Sequence, residues 1–263
     1  DLMHLSEVLD ETLVRQLREI DNALLILRSE YVNNKPNLKH TLDLLRQGHL
    51  KNLDVNVIFV DRHGYVEMSD LPGTDSKVYA GDREHFKHFS SGGPDQLFIS
   101  DPVIGRLNKR WGMQLVRPIL DHDGKFLGTV VIFTPPEQLT QFMQSLQVGS
   151  DTVMTVFSTQ GVMLSRSKDI DKLLGSRQTP EQLAEFPRNQ NGFITRLSAL
   201  DQVERVIAYR WIRNYPLLLL VARPKTSLIA EIAGEQRLLM ALGAVVSLIV
   251  GGSLLILGVS FRR

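Results

Sequence analysis

The sequence runs through one order of patterns twice, and that repetition constrains the fold more than any other feature. Gly64 and Gly161 lie 97 residues apart. Each ends a four-residue turn, Asp61-Arg62-His63-Gly64 or Ser158-Thr159-Gln160-Gly161, between two short β-type segments. Glycine supplies the positive φ that such a hairpin turn needs. Arg117 in LVRPI and Arg210 in AYRWI lie 93 apart, each on the penultimate strand of its half. Thr134-Pro135 and Arg223-Pro224 each close a last strand and open a helix. This spacing exceeds the roughly 20–50 residues of a solenoid repeat, so it predicts two similar domains. Each half reads as an antiparallel sheet flanked by helices, an α+β arrangement.

Periodicity places the elements. Leu13, Leu17, Ile20, Leu24, Leu27 and Tyr31 recur at spacings of four and three, with charges between them, which predicts a long helix over residues 1 to about 33. Its apolar stripe can pack on the rest of the chain or on a twin helix in a dimer. A second helix is expected over 38–47, after Asn33-Asn34-Lys35-Pro36 ends the first. In the first half strands are expected at 55–60, from 65, and at 97–100, 111–119 and 125–133. Asp82 is placed to cap a short helix over 83–89, and proline in the first turn opens a helix running to 146. In the second half strands are expected at 153–157, 162–166, 192–197, 203–212 and 217–223, with short helices at 170–174 and 180–185. Pro224 opens a final helix.

Residues 238–261 carry no charge over 24 positions. A hydrocarbon core about 30 Å thick needs roughly 20 apolar residues, so this stretch predicts a transmembrane helix. The alternative is a buried core helix. Arg262-Arg263 follows and marks the cytoplasmic side, which places residues 1–237 outside the cytoplasm. Gly243, Ser247 and Gly251 are spaced by four, as in close helix pairs, or reflect the ordinary glycine content of membrane helices. The chain reads as a fragment, with further sequence expected before Asp1 and after Arg263.

Composition narrows the function. The net charge of +1 disfavours a nucleic-acid partner. With no cysteine there is no disulfide or thiolate chemistry, and a zinc site loses its commonest soft ligand. Asp82, Glu84, His85 and His88 include histidines at i, i+3, a pattern that can clamp a metal, but a solvated helix face is the preferred reading. No glycine-rich loop precedes a helix, no serine sits in a nucleophile elbow, and no carboxylate pair suggests acid–base work. No catalytic residue, metal or cofactor is assigned.

The strand from Trp111 carries the most chemistry. Alternation puts Trp111, Met113, Leu115, Arg117 and Ile119 on one face. A guanidinium among four apolar neighbours needs a partner. Asp82 and Asp101 are internal candidates. A ligand anion held bidentately, with Trp111 as a stacking wall and Tyr79, Arg83 and Arg106 closing the pocket, is the other reading.

Three motifs then stand in a fixed order: GDREHF at 81–86, ISDPVIGR at 99–106, and Trp111 followed by VRPI at 116–119. DGKFLGTVV at 123–131, AYR at 208–210 and YPL at 215–217 follow. In this order the chain resembles the double Cache (dCache) sensor domain found outside the membrane in bacterial signalling proteins, most closely those with GGDEF or GGDEF-EAL output. The resemblance implies two PAS-like domains hung on one long N-terminal helix and followed by a transmembrane helix. The corresponding division is 1–37 for the helix, 38–147 for a membrane-distal ligand-binding domain, 148–224 for a membrane-proximal domain and 225–263 for linker and span. It implies a bacterial inner-membrane location with residues 1–237 periplasmic. It also implies a small-molecule ligand, anionic or amino-acid-like, lined by Tyr79, Arg83, Phe86, Arg106, Trp111 and Arg117, with Asp101 available to a ligand amine. Amino-acid-binding members carry a tyrosine after the arginine–tryptophan pair, whereas Gly112 and Met113 follow Arg110-Trp111 here. By the same resemblance the parent is a homodimer, and its cytoplasmic output a diguanylate cyclase, with or without a phosphodiesterase. The alternatives are a histidine kinase or chemoreceptor output, and a membrane-anchored protein-interaction module with no small ligand.

Overall fold

The computed structural model describes residues 2–71, 78–146, 148–188, 190–198, 202–231, 233, 240, 242–244 and 247. The expected span at 238–261 lies outside these residues except at isolated positions. Among the described residues no helix is long and apolar enough to cross a membrane.

Helix α1 (Leu2–Asn33) is the spine. Its 32 residues reach about 48 Å at 1.5 Å per residue. Leu9, Leu13, Leu17, Ile20, Leu24 and Leu27 are all buried on one stripe. The stripe packs on this chain's own sheets in one continuous core. A 3-10 turn at Lys35–Asn37 leads into α2 (Leu38–Gln47), whose Leu38, Leu42 and Leu45 join that core.

The first half continues with β1 (Asn56–Asp61), β2 (Val66–Ser69), α3 (Glu84–Ser90), β3 (Phe98–Ile99), β4 (Val103–Ile104), β5 (Trp111–Leu120), β6 (Phe126–Thr134) and α4 (Pro136–Ser145). Its sheet has the order β2-β1-β6-β5-β3, with β4 also on β5. The second half has β7 (Val153–Ser158), β8 (Met163–Arg166), α5 (Ile170–Leu173), α6 (Pro180–Ala184), β9 (Gly192–Leu197), β10 (Glu204–Trp211) and β11 (Leu217–Pro224). Its order is β8-β7-β11-β10-β9. The two orders correspond strand for strand, and every pairing is antiparallel. Gly64 and Gly161 occupy equivalent turns at φ +84° and +78°. Residues 225–231 are helical, as the proline at 224 predicts.

Each sheet buries both faces, because strand side chains alternate. In the first sheet Val57, Phe59, Met113, Leu115, Val130 and Ile132 face α1. Val60, Val116 and Val131 face the other way, against Phe86 and Phe89 of α3. In the second sheet Phe157, Leu218, Leu220 and Tyr209 form the matching outer cluster over Phe186.

The equivalent arginines have equivalent jobs. Arg117 forks onto Asp21 of α1 at 2.7 and 2.8 Å and also reaches Asp95 at 3.1 Å. Arg210 reaches Glu7 at 3.1 Å and Asp10 at 3.8 Å, lower on the same helix. The charge-assisted fork to Asp21 holds the Arg117 pKa above the ordinary guanidinium value. The guanidinium of the β5 face is therefore met from within the chain. Its partners are Asp21 and Asp95, not the expected Asp82 or Asp101, because the arginine's face looks toward α1.

Candidate ligand-binding site

On the face of the first sheet turned away from α1 lies a shallow cleft open to solvent, with about 30 Å³ of enclosed room. Ile58, Val60, Val131, Phe133 and Gln114 form its floor. One wall is formed by Val78 and Ala80 and by Arg83 and His85 at the entry to α3. Residues 105–108, between β4 and β5, close the opposite side.

Backbone bonds fix this wall. Val66 N donates to Val78 O at 2.9 Å and Ala80 N to Gly64 O at 2.7 Å. Gly64 and Gly81 approach closely: a Cβ on Gly64 would lie 2.6 Å from Gly81 Cα, and one on Gly81 would lie 2.6 Å from the Tyr79 hydroxyl oxygen. Tyr79 pairs with Tyr65 across an isolated bridge, and their rings sit 5.1 Å apart at the rim.

Two arginines tie the walls together. Arg106 grips the Asp82 carboxylate with both terminal nitrogens at 2.6 Å and also donates to the Tyr79 carbonyl. That fork holds the Asp82 carboxyl down to about 2. Asp82 is thus spent on Arg106 and does not cap α3. The residue at that cap is Arg83, in extended conformation and without a side-chain cap bond. Arg83 donates to the Ile104 carbonyl at 2.8 Å, and burial lowers its pKa, with the Arg106 charge adding to the effect.

His85 was expected on a solvated helix face. It is instead 1% exposed, and neither ring nitrogen has a hydrogen-bond partner among the described residues. With Phe89 four residues on, it forms the sheet-facing side of a two-turn helix. Burial, then the Arg83 charge, pushes its pKa down to about 3, so the ring is neutral at pH 7. In the unfolded chain a histidine titrates near pH 6.5. Between the two values the unfolded chain binds more protons. Stability should therefore fall as pH drops from about 6.5 toward 3, with up to about 1.4 kcal/mol per pH unit from this group. Urea midpoints between pH 7 and about 4.5 should fall less steeply in a His85→Phe variant. An identical slope in both proteins would mean the ring is not held neutral.

The structure brings together Tyr79, Arg83 and Arg106 of the seven expected site residues. Phe86 lies beneath them in the packed cluster, edge-on to Phe126 at 5.5 Å. Trp111 is half exposed at the start of β5, opposite Ile104, and does not line the cleft. Asp101 lies at the seam between the two sheets, 3.6 Å from Arg177. Arg117 is on the opposite face. Alternation along β5 was read correctly, but the cleft belongs to the Gln114 side. Gln114, Asn108 and Phe133 are lining residues with no sequence signal of their own, and His85, weighed in the sequence as a metal ligand or a solvated residue, lines the cleft instead. Among the described residues no group of acids and histidines is placed to hold a metal ion.

The second sheet carries a cavity of its own on the matching face, of about 250 Å³, with Arg166, Arg177, Arg196 and Arg205 in its lining.

Comparison with known proteins bears on this geometry. Residues 136–222 match a family model, dCache_1_like, described as a histidine kinase sensor domain. The extracellular domain of the histidine kinase rpHK1S-Z16 superposes with a TM-score of 0.75 at 22% identity, covering 86% of this chain and 94% of that one. The two chains share one fold. The periplasmic sensory domain of the Campylobacter jejuni chemoreceptor Tlp1 gives 0.65 at 10% identity, with coverage of 87% and 95%. The Pseudomonas aeruginosa amino-acid chemoreceptor PctC, in complex with GABA, gives 0.62 at 14%, with coverage of 84% and 96%. No curated protein sequence matches the chain.

Proposed function

We propose that the chain is the extracytoplasmic sensing region of a bacterial membrane receptor and that a small molecule binds in the cleft of its first sheet. The observation that carries this reading is His85, a buried imidazole with both nitrogens unmet, on the wall of an open cleft. A native fold rarely leaves such a group without a partner, and a ligand is the missing one. The dCache-like fold supports the same reading, since its solved neighbours include receptors with small ligands bound, GABA among them.

Residues 238–261 anchor the region in the inner membrane, with residues 1–237 periplasmic. The family model and the structural neighbours are histidine kinase and chemoreceptor sensors. They favour an output of that kind over a diguanylate cyclase, a reading that rests on the sequence resemblance alone.

Thermal-shift screening of the purified chain against small metabolites tests the proposal. A ligand at a hundredfold excess over its Kd should add about 2.7 kcal/mol of stability. An Arg83→Gln variant should keep the unliganded melting temperature to within a few degrees and lose most of the shift, because the side chain's one bond to Ile104 is modest. A hit that stabilises this variant equally would put the binding site elsewhere. A screen with no hit would favour the protein-interaction module.

A further inference from the structure

We propose that the cleft, taken as the ligand site on the reading above, is built for a small monocarboxylate with a neutral polar group beside the acid, and that it rejects zwitterionic amino acids.

Charge is the first argument. The Asp82–Arg106 fork neutralises itself. Arg83 has only a carbonyl, Ile104 O, as a partner, and no carboxylate is bonded to it among the described residues. Among the described residues the rim is left with one positive charge in excess. A carboxylate meets a guanidinium in a planar fork, so the free edge of Arg83 is the natural seat for one.

The lining itself is the second argument. Among the described residues that line it, none is an aspartate or glutamate. A ligand ammonium would enter a cleft rimmed by two guanidinium groups, with its nearest acid already gripped. Desolvating that cation without a counter-charge is unfavourable, and the neighbouring arginines add like-charge repulsion.

His85 is the third. A neutral imidazole offers one donor and one acceptor, and here both nitrogens are buried and unpaired among the described residues. It can give a hydrogen bond to a ligand carbonyl, or take one from a ligand hydroxyl. The amide of Gln114, also buried at the cleft floor, is of the same neutral type. Ile58, Val60, Val131 and Phe133 leave an apolar surface for a short branched carbon chain.

Matched probes on one carbon frame separate the possibilities. Calorimetric titration of the purified chain would compare 2-hydroxyisovalerate and 2-oxoisovalerate with L-valine, isovalerate and isovaleramide. The hydroxy or oxo acid should bind roughly tenfold or more tighter than valine, and isovaleramide should not compete. Arg83→Gln should weaken the acids roughly tenfold, whereas His85→Phe should weaken the hydroxy and oxo acids and spare isovalerate. Ring-nitrogen NMR of His85 in the unaltered chain gives a second readout, a shift of one nitrogen on adding the hydroxy acid.

Valine binding tighter than both substituted acids, yet lost in Arg83→Gln, would overturn the ligand class and leave the site standing. Acid binding that ignores both variants and leaves the His85 nitrogens unmoved would overturn class and site together. Failure of every probe to bind would overturn the class.

Discussion

A Gly128→Ala variant is expected to lose most of the stability of the first sheet. Gly128 sits at φ +143°, where residues with a Cβ rarely go, and a Cβ there would lie 2.1 Å from the Val60 carbonyl oxygen. The strand cannot step back to make room. Gly128 is paired with Asp61 of β1 on one side and with Ile119 of β5 on the other, next to a bulge between Ile119 and Leu120. Backbone strain of this kind costs about 1–3 kcal/mol, and forced overpacking adds about 1–3 more. About 4 kcal/mol in total would lower the melting temperature by roughly 10 °C in a chain of this size. Thermal unfolding followed by circular dichroism measures it. A loss of only a degree or two would mean that the sheet relaxes around the methyl group.

Breaking the Arg117 pair is the second large effect. Arg117 and Asp21 are both mostly buried, with side-chain exposures of 14% and 17%. Truncating one partner strands the other charge, at a cost of about 3 kcal/mol. Arg117→Ala should therefore destabilise strongly, and Asp21→Ala should do much the same. The double replacement Arg117→Met with Asp21→Leu should cost far less than the sum of the singles, because no unpaired charge remains. Ligand binding should persist in every variant that folds, since Arg117 faces α1 and the cleft opens on the other side of the sheet. Urea unfolding with a parallel titration checks both halves. Additive losses would refute the coupling, and loss of binding in a folded Arg117 variant would return the arginine to the ligand.

Most of the architecture was legible because it rests on local patterns. The stripe from Leu13 to Tyr31 marked α1, and the bounds of α2 and β9 coincide with those read from periodicity. The doubled turn glycines and penultimate-strand arginines announced two sheets of one order. The site was less legible, for a physical reason. Alternation sorts Trp111, Met113, Leu115 and Arg117 onto one face, but it cannot say which face meets the long helix. The partner that decides this, Asp21, is 96 residues away in sequence. His85 reads as solvated because a short helix with two histidines at i, i+3 looks amphipathic in either direction, whereas the ring is buried. The His85–Phe89 spacing of four was the available signal, since it places the imidazole on the side that carries a phenylalanine into the sheet. Asp82 was read as a cap because its local position suits one, and a competing guanidinium from the 105–108 loop took the carboxylate instead.

The Arg117–Asp21 and Arg210–Asp10 pairs engage one helix at points about three turns apart and on nearly the same azimuth. Two wheels keyed to a single axle cannot slip against each other: when one turns, the shaft must twist or carry the other round. A shift of either sheet along α1 must therefore break or drag an ion pair on that shared shaft.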